Sequence, residues 1–290
     1  MTRSQRRFPT VSHRILTSIV QSQPSPPTEP AFEQTHSAIP VLLYHSVPRA
    51  DAAPDPLSVP QGLFRAHMEV VARSGRTPID IAELAAGLRG ERRLPAQPVT
   101  ITFDDAYDDT PAAVDLVLSH GLCASVFVTA GQLDSGQMIS RAQLERLAAQ
   151  PDRIELGAHS VSHPFLDELT PDEVEWEIRE SKRALEGVVG RAVDSFAYPF
   201  GAYDRDVRAA VIDAGFSAAA AVKNAISHPA DDPWAIARWT VKGTTRPRQL
   251  ERILKGDGAP RAWENERLRT RAYRMARRSR RRLRGGGGKP

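Results

Sequence analysis

The sequence has little of several features that mark whole classes of protein. It contains one cysteine, Cys123, so an intramolecular disulfide framework is excluded. No apolar run approaches the roughly 18 residues that a membrane-spanning helix needs. Aromatic residues make up only 6% of the chain, yet 41% of its 290 residues are hydrophobic, as in ordinary folded proteins. The composition therefore predicts one or two folded domains with a sizeable core.

Acidic charge is scarce at one end of the chain. Residues 259–290 carry 12 Lys or Arg and 2 Glu, a local charge of +10. Because the whole chain has a net charge of +4, the rest of the chain carries −6. The high isoelectric point therefore belongs to a basic tail. We expect this tail to contact a polyanion or an anionic membrane surface. Few aromatic or apolar residues lie among its arginines, so no sequence-specific binding of nucleic acid is expected.

Composition divides the chain into three parts. Residues 1–37 end in a segment rich in Pro, Ser, Gln and Thr and predict a flexible leader, residues 38–250 predict the folded domain, and residues 251–290 form the basic tail. The best apolar stretch of the leader, 15–20, is shorter and more polar than the core of a secretory signal. We therefore expect a protein that is cytoplasmic or peripheral to the membrane, or extracellular if the start codon is wrongly chosen.

Strand-like and helix-like segments alternate along the folded domain. Apolar runs predict strands at 39–44, 99–103, 124–128, 153–157, 195–198 and 216–220. Helices are predicted over 110–121, from Ser140, from Thr170 with its capping-box partner Glu173, and over 206–214. This order implies parallel strands joined by helical crossovers, in a barrel or an open sheet. The expected fold class is α/β, with functional residues at the carboxyl ends of the strands.

Two polar clusters directly follow predicted strands. Asp104 and Asp105 follow the strand at 99–103, whereas His159 and His163 follow the strand at 153–157. Either cluster alone is more simply a turn or an incidental pair, but their joint placement at strand ends favours a common site. Two imidazoles and one carboxylate form a ligand set that leaves positions open for water and substrate. A second carboxylate beside it can accept a proton from that water.

Three motifs in this order resemble those of the polysaccharide deacetylases with a NodB-homology domain. They are TFDD, HSVSH and YPFG, at 102–105, 159–163 and 198–201, and the similarity extends over residues 38–245. The resemblance implies a distorted (β/α) barrel with fewer than eight regular strands. It also implies that Asp104 is the general base and that a divalent ion is bound by Asp105, His159 and His163.

The third motif lacks the arginine that many family members carry there. Its form, FAYPFGAYD, with PVLLYH upstream, is similar to the branch that contains poly-N-acetylglucosamine deacetylases. Arg238 stands where that branch has a late arginine, and we expect it to supply the missing guanidinium as a substrate-binding residue. The other expected substrate contacts are Tyr198, Pro199, Phe200, Gly201 and Tyr203. Tyr203 is equally compatible with a packing role.

The proton donor is the least determined part of the predicted site. Many family members carry a late histidine in a Leu-x-x-His setting, and this chain has no good equivalent. His228 follows a polar loop and is compatible with a surface residue. His45 directly follows the strand at 39–44, and the resemblance places a histidine there near the active site. We therefore predict His45 as the acid or a substrate contact, with His228 as the alternative.

These residues predict a metal-dependent hydrolase that removes N-acetyl groups from an N-acetylated polysaccharide, oligosaccharide or amino sugar. The ligands and the base argue for hydrolysis, whereas the N-acetyl group rests on the resemblance. The alternatives are an O-acetyl carbohydrate esterase and a carbohydrate-binding protein without turnover. Zn²⁺ is the first choice for a His₂Asp site, and Co²⁺, Ni²⁺ or Mn²⁺ would also fit. Nothing in the sequence indicates the oligomeric state.

Overall fold

Parallel strands alternate with helices in the computed structural model, which describes residues 38–48, 56–262, 272, 275 and 276. The strands are β1 (Val41–Tyr44), β2 (Thr77–Pro78), β3 (Pro98–Phe103), β4 (Ala124–Val128), β5 (Ile154–Ala158), β6 (Ser195–Ala197), β7 (Ala218–Val222) and β8 (Ile236–Thr240). The α-helices are α1 (Gln61–Arg73), α2 (Ile81–Leu88), α3 (Thr110–Ser119), α4 (Arg141–Ala148), α5 (Pro171–Val189), α6 (Arg205–Asp213) and α7 (Pro247–Leu254). The predicted leader and most of the predicted basic tail lie outside the described residues.

Seven of the described strands close a parallel barrel. Their order is β1-β8-β7-β6-β5-β4-β3, and the pairing of β1 with β3 completes the ring. The two-residue strand β2 pairs with the first residues of β3 and adds an eighth, short strand at the side. This architecture confirms the predicted distorted (β/α) barrel with fewer than eight regular strands. No helix among the described residues is long and apolar enough to cross a bilayer.

Local sequence signals set the ends of the helices around the barrel. Thr170 Oγ1 accepts a hydrogen bond from the backbone N–H of Glu173, whose carboxylate accepts one from the backbone N–H of Thr170. The predicted capping box is therefore formed at α5, and Ser140 and Gln143 form another at α4. Helix α5 ends at Gly190, whose φ of +68° is left-handed and suits glycine.

The sequence pattern did not predict β2, α2, β8 or α7. Strand β8 has a charged residue at its centre, Arg238, which interrupts the apolar pattern expected of a buried strand. Helix α2 buries Ile81, Leu84 and Ala85 in a cluster with residues of β1, β4, β6, β7 and β8. Because those strands come from all round the ring, α2 closes the barrel interior at the amino ends of the strands.

The carboxylate of Glu155, on β5, ties this closing helix to the barrel. It accepts hydrogen bonds from the backbone N–H groups of Ile81 at 2.9 Å and Ala82 at 3.1 Å, and from Ser125 Oγ at 2.5 Å. Burial, with the neighbouring charge of Asp80, raises the pKa of Glu155 to about 7. The first N–H groups of a helix lack partners within the helix, so Glu155 satisfies two of them for α2.

A candidate metal centre and active-site cavity

A cavity of about 530 Å³ opens at the carboxyl ends of the barrel strands. In parallel (β/α) barrels, functional side chains gather at this end, because the loops that follow the strands meet there. The cavity is lined by His45, Leu57, Asp104, Asp105, Tyr107, Gln132, Met138, His159, His163, Phe200, Val222, Asn224, Thr240 and Lys242. The structure thus brings together the predicted base, the three predicted metal ligands, His45 and Phe200.

Asp105, His159 and His163 converge on one point of this cavity. Each offers one ligand atom, and the three atoms lie within 4.8 Å of one another. Asp105 Oδ1 is 3.4 Å from His159 Nε2 and 3.2 Å from His163 Nε2. Two ligands that each lie roughly 2.1 Å from one ion are about 3.0–3.4 Å apart, so the spacing suits a shared divalent ion. The donor set and its geometry therefore fit the metal that the resemblance implies.

The imidazole of His159 is held so that Nε2 faces Asp105. Its Nδ1 lies 2.8 Å from the carbonyl oxygen of Ala197, which only accepts, so Nδ1 carries the hydrogen. The ring is buried, and burial alone would lower the pKa of His159, but the charges of Asp104 and Asp105 outweigh it and raise the pKa. A cation and a proton compete for the same Nε2 lone pair, so acid should displace a bound ion.

The loop between the two histidine ligands is anchored by a buried carboxylate, Glu177 on α5. Its Oε2 accepts hydrogen bonds from the backbone N–H groups of Val161 at 2.8 Å and Ser162 at 2.9 Å, and Ser162 Oγ donates to Oε1. These contacts hold the backbone between His159 and His163, so that both imidazoles reach the same point. Glu177 therefore positions the ligands without contacting the metal position itself.

Sequence reasoning missed Glu177, although α5 carried a signal. Val174, Ile178 and Leu185 are the apolar residues that α5 turns toward the barrel, and Glu177 lies at helical spacing among them. A carboxylate on a buried helix face must find hydrogen-bond donors, since an unsatisfied buried charge is costly. A carboxylate on the buried face of a helix therefore indicates that a neighbouring segment supplies hydrogen-bond donors to it.

Asp104 is buried against a guanidinium. Arg238 Nη1 lies 2.6 Å from Asp104 Oδ1, and Nη2 lies 2.8 Å from Oδ2. Burial alone would raise the pKa of Asp104, but Arg238 and His159 outweigh it and hold the pKa below its usual range. The predicted role of Arg238 is corrected here: its side chain is fully buried, so it contacts Asp104 and is not placed to bind substrate.

Phe200 forms an exposed wall of the cavity. Its ring stacks on Phe165 with centroids 4.0 Å apart, and its edge-on contact with His163 has a centroid distance of 4.5 Å. The side chain is 54% exposed, which is unusual for phenylalanine. The structure thus places the exposed ring of Phe200 at the wall of the cavity.

The other third-motif residues do not line the cavity, which corrects their predicted placement. Tyr198 is fully buried, its hydroxyl donates to the carbonyl oxygen of Trp234 at 2.8 Å, and its ring stacks on Tyr203. Pro199 is buried as well. Gly201 has a φ of +63°, and a Cβ there would lie 2.8 Å from Val222 Cβ. These residues shape the loop that presents Phe200.

The two candidate proton donors lie in different places. His45 lines the cavity, and its Nδ1 is buried without a hydrogen-bond partner among the described residues. Burial lowers the pKa of His45, and the charges of Asp104 and Asp105 oppose that effect. His228 lies outside the cavity lining, with Nε2 3.1 Å from the carbonyl oxygen of Ala262 and Nδ1 accepting from the N–H of Ala230. The geometry therefore favours His45.

Unusual backbone conformations concentrate around the cavity. Of the seven non-glycine residues with positive φ in the described parts of the chain, six lie in loops that follow β3, β5, β6 and β7. Backbone of this kind costs free energy and persists only where the surroundings impose it, commonly at functional sites. The six residues are Asp105, Ala106, Ser160, His163, Phe200 and Asn224.

Residues 91–219 match the family model of polysaccharide deacetylase. Among curated proteins, the chain is 30% identical to a chitooligosaccharide deacetylase of Azorhizobium caulinodans over 112 residues, 38% of this chain and 50% of that protein. It is also 26% identical to YxkH of Bacillus subtilis over 179 residues, 61% of this chain and 62% of that protein. The chain thus spans between half and two thirds of the curated relatives it matches.

Solved structures of deacetylases share the fold. The Streptococcus pyogenes deacetylase PplD aligns with a TM-score of 0.68 at 20% identity, over 75% of this chain and 98% of that chain. IcaB from Ammonifex degensii aligns with a TM-score of 0.64 at 19% identity, over 76% of this chain and 96% of that chain. At these identities the solved structures show a shared fold, and the similarity to the polysaccharide deacetylase family rests on residues 91–219 and the curated relatives.

Proposed function

We propose that this protein is a metal-dependent hydrolase that removes N-acetyl groups from an N-acetylated glycan, oligosaccharide or amino sugar. The observation that carries the proposal is the convergence of Asp105, His159 and His163 beside the buried carboxylate of Asp104 in an open cavity. The N-acetyl assignment draws on the family match and on the chitooligosaccharide deacetylase among the relatives. Zn²⁺ is the proposed ion, since two imidazoles and a carboxylate suit it well.

The residues of the chain divide the chemistry between them. A divalent ion held by the trio supplies Lewis-acid polarisation and makes a nearby water more acidic. Asp104 accepts the proton of the attacking water, because the adjacent guanidinium of Arg238 keeps its carboxylate ionised at neutral pH. His45 donates a proton to the departing amine nitrogen, which requires its protonated form, and the charges of Asp104 and Asp105 favour that form against burial. Phe200 and the loop around it shield one side of the reacting group from bulk water.

The loop that carries His45 is tied to the loop that carries the base. Asp109 Oδ2 accepts a hydrogen bond from Ser46 Oγ at 2.5 Å and from the backbone N–H of Val47 at 3.0 Å. Asp109 follows the first motif, so the β1 and β3 loops are joined directly beside the cavity. The proposed acid and base are thereby held on connected loops beside one cavity.

The relation to the poly-N-acetylglucosamine deacetylase branch is also part of the proposal. The supporting feature is Arg238, which reaches Asp104 from β8 and supplies the guanidinium that the third motif lacks.

Removal of the metal provides the direct test. We expect purified protein loaded with Zn²⁺ to release acetate from N-acetylated chitooligosaccharides, to lose activity on treatment with a chelator, and to regain it on addition of Zn²⁺. Enzymatic detection of acetate measures the activity, and elemental analysis measures the bound metal. Binding of sugars without acetate release would indicate a carbohydrate-binding protein, and release from O-acetylated xylan alone would indicate an esterase.

Replacement of the two histidines separates the candidate acids. We expect His45→Ala to lower kcat by about 10²–10⁴, the range that a general acid contributes, because the amine would then leave unprotonated. His228→Ala is the matched control and should leave kcat within about twofold, since among the described residues that ring is hydrogen-bonded to Ala230 and Ala262, away from the cavity. Metal content should be unchanged in both variants. The reverse order of effects on kcat would assign the role to His228.

A further inference from the structure

We propose that the substrate carries an anionic group, a carboxylate or a phosphate, near its acetamide, and that Lys242 binds this group. The inference rests on the proposed function and names the substrate class of the same site. Lys242 follows β8, and it is the one lysine or arginine among the described residues that line the cavity.

Lys242 forms no ion pair with the described residues. No carboxylate among the described residues lies within 4.0 Å of its ammonium group, and the side chain is exposed. By contrast, the nearby Lys223 is partly buried and paired with Asp231 at 3.0 Å. Lys242 therefore presents an available cation to whatever enters the cavity.

The carboxylates of the site are already matched by other groups. Asp104 is held by both terminal nitrogens of Arg238, and Asp105 faces His159 and His163. Lys242 is thus not required to balance charge at the metal position. A cation that lines a cavity without such a task is suited to bind an anionic ligand, because charge-assisted hydrogen bonds are about twice as strong as neutral ones.

Neighbouring donors extend this side of the cavity. Asn224 follows β7, and its Oδ1 accepts a hydrogen bond from the backbone N–H of Thr240 at 3.3 Å. That bond orients the amide so that its Nδ2 is left to donate. Because β7, β8 and β1 are adjacent in the barrel, Asn224, Lys242 and His45 come from one continuous sector of the rim. The candidate metal ligands follow β3 and β5 and line the same cavity, so a sugar whose acetamide lies at the metal position would share the cavity with these donors.

Hydrogen bonds within one turn hold the backbone at Lys242, so the side chain extends from a fixed Cα position. Lys242 N–H donates to Thr245 Oγ1 at 3.0 Å, and Thr245 N–H donates back to the carbonyl oxygen of Lys242 at 2.9 Å. The buried ring of His67, on α1, holds the same turn through a 2.8 Å hydrogen bond from Nε2 to the carbonyl oxygen of Thr245. A turn held in this way reduces the entropy lost when the lysine binds a ligand.

The test measures binding and acetate release separately on the full chain loaded with Zn²⁺ at low ionic strength. The probes are N-acetylglucosamine, which is neutral, its 6-phosphate, and N-acetylmuramic acid, which adds a carboxylate. We expect the unmodified protein to bind at least one acidic sugar about tenfold or more tightly than the neutral sugar by calorimetry. The preferred acidic sugar identifies the anionic group.

Lys242→Met keeps the length of the side chain but removes its charge, and should abolish the preference while leaving the affinity for N-acetylglucosamine unchanged. Lys242→Arg should retain at least part of the preference. Lys255→Met is the matched control, because it removes one exposed charge beside Gln97, at the amino end of β3 and thus the opposite end of the barrel. Salt should weaken the preference of the unmodified protein, as expected for an exposed charge.

Equal affinities for the acidic and neutral sugars would overturn the inference, as would a preference that survives Lys242→Met. A preference caused by direct ligation of the metal would survive that substitution and is thereby distinguished. Failure to release acetate from every sugar would count against the proposed function instead, while the affinities would still decide the role of Lys242.

Discussion

Replacing Asp105 by asparagine is expected to remove both bound metal and activity. The substitution takes away the charged member of the ligand set and leaves His159 and His163 without the oxygen that lies 3.4 and 3.2 Å from their Nε2 atoms. Lewis-acid catalysis supplies several kcal/mol, so acetate release should fall by roughly 10³-fold or more. His159→Ala should have the same effect, because it removes a ligand whose orientation Ala197 sets.

Asp108→Asn is the matched control for this prediction. It makes the same chemical change three residues away, at an exposed side chain that does not line the cavity. Elemental analysis of the purified variants and an acetate assay measure the two losses together. Metal-dependent release that persists in both Asp105→Asn and His159→Ala would show that the metal site is elsewhere.

Arg238→Met is expected to damage both stability and catalysis. The substitution leaves the carboxylate of Asp104 buried without its bidentate partner, and breaking such a pair costs about 3–5 kcal/mol of unfolding free energy. The pKa of Asp104 should rise, because Arg238 is the main influence that opposes burial. Less base is then ionised at neutral pH, so kcat/KM should fall by about 10²–10⁴ and the remaining activity should increase toward higher pH.

Two further variants separate charge from hydrogen-bond geometry. Arg238→Lys keeps the charge but offers no planar fork, so its activity should lie between those of the unmodified protein and Arg238→Met. Adding Asp104→Asn to Arg238→Met removes the uncompensated charge and should recover part of the stability without recovering activity. Denaturant unfolding and the pH profile of kcat/KM measure these effects. An unchanged pH profile in Arg238→Met would contradict the positioning of Asp104 by Arg238.

The sequence predicted the metal centre because its parts are local in the chain. Asp104 and Asp105 lie on one turn after β3, and His159 and His163 lie in one loop after β5. Parallel strands in a barrel present their carboxyl ends to a common rim, so recognition of two strands was sufficient to bring the clusters together. The barrel was predictable for a similar reason, because the regular alternation of strands and helices can be read from local sequence patterns.

The residues that support the site could not be assigned in the same way, because their partners are distant in sequence. Arg238 reaches Asp104 across 134 positions, and His67 reaches Thr245 across 178. The charge in the middle of β8 also concealed that strand, since its partner, Asp104, directly follows the distant strand β3. Tyr198 shows the opposite error, because a motif residue that follows a strand can turn into the core as easily as into the cavity.

By itself, the sequence determined the class of fold, the capping box of α5 and the set of candidate metal ligands. These features depend on periodicity, on side-chain bonds over three or four residues, and on strand ends that the topology brings together. Only the tertiary structure decided that Arg238 contacts Asp104, that His45 lines the cavity and His228 does not, and that Lys242 has no ion-pair partner among the described residues. Burial and charge pairing are properties of the whole packed barrel, so no local pattern encodes them.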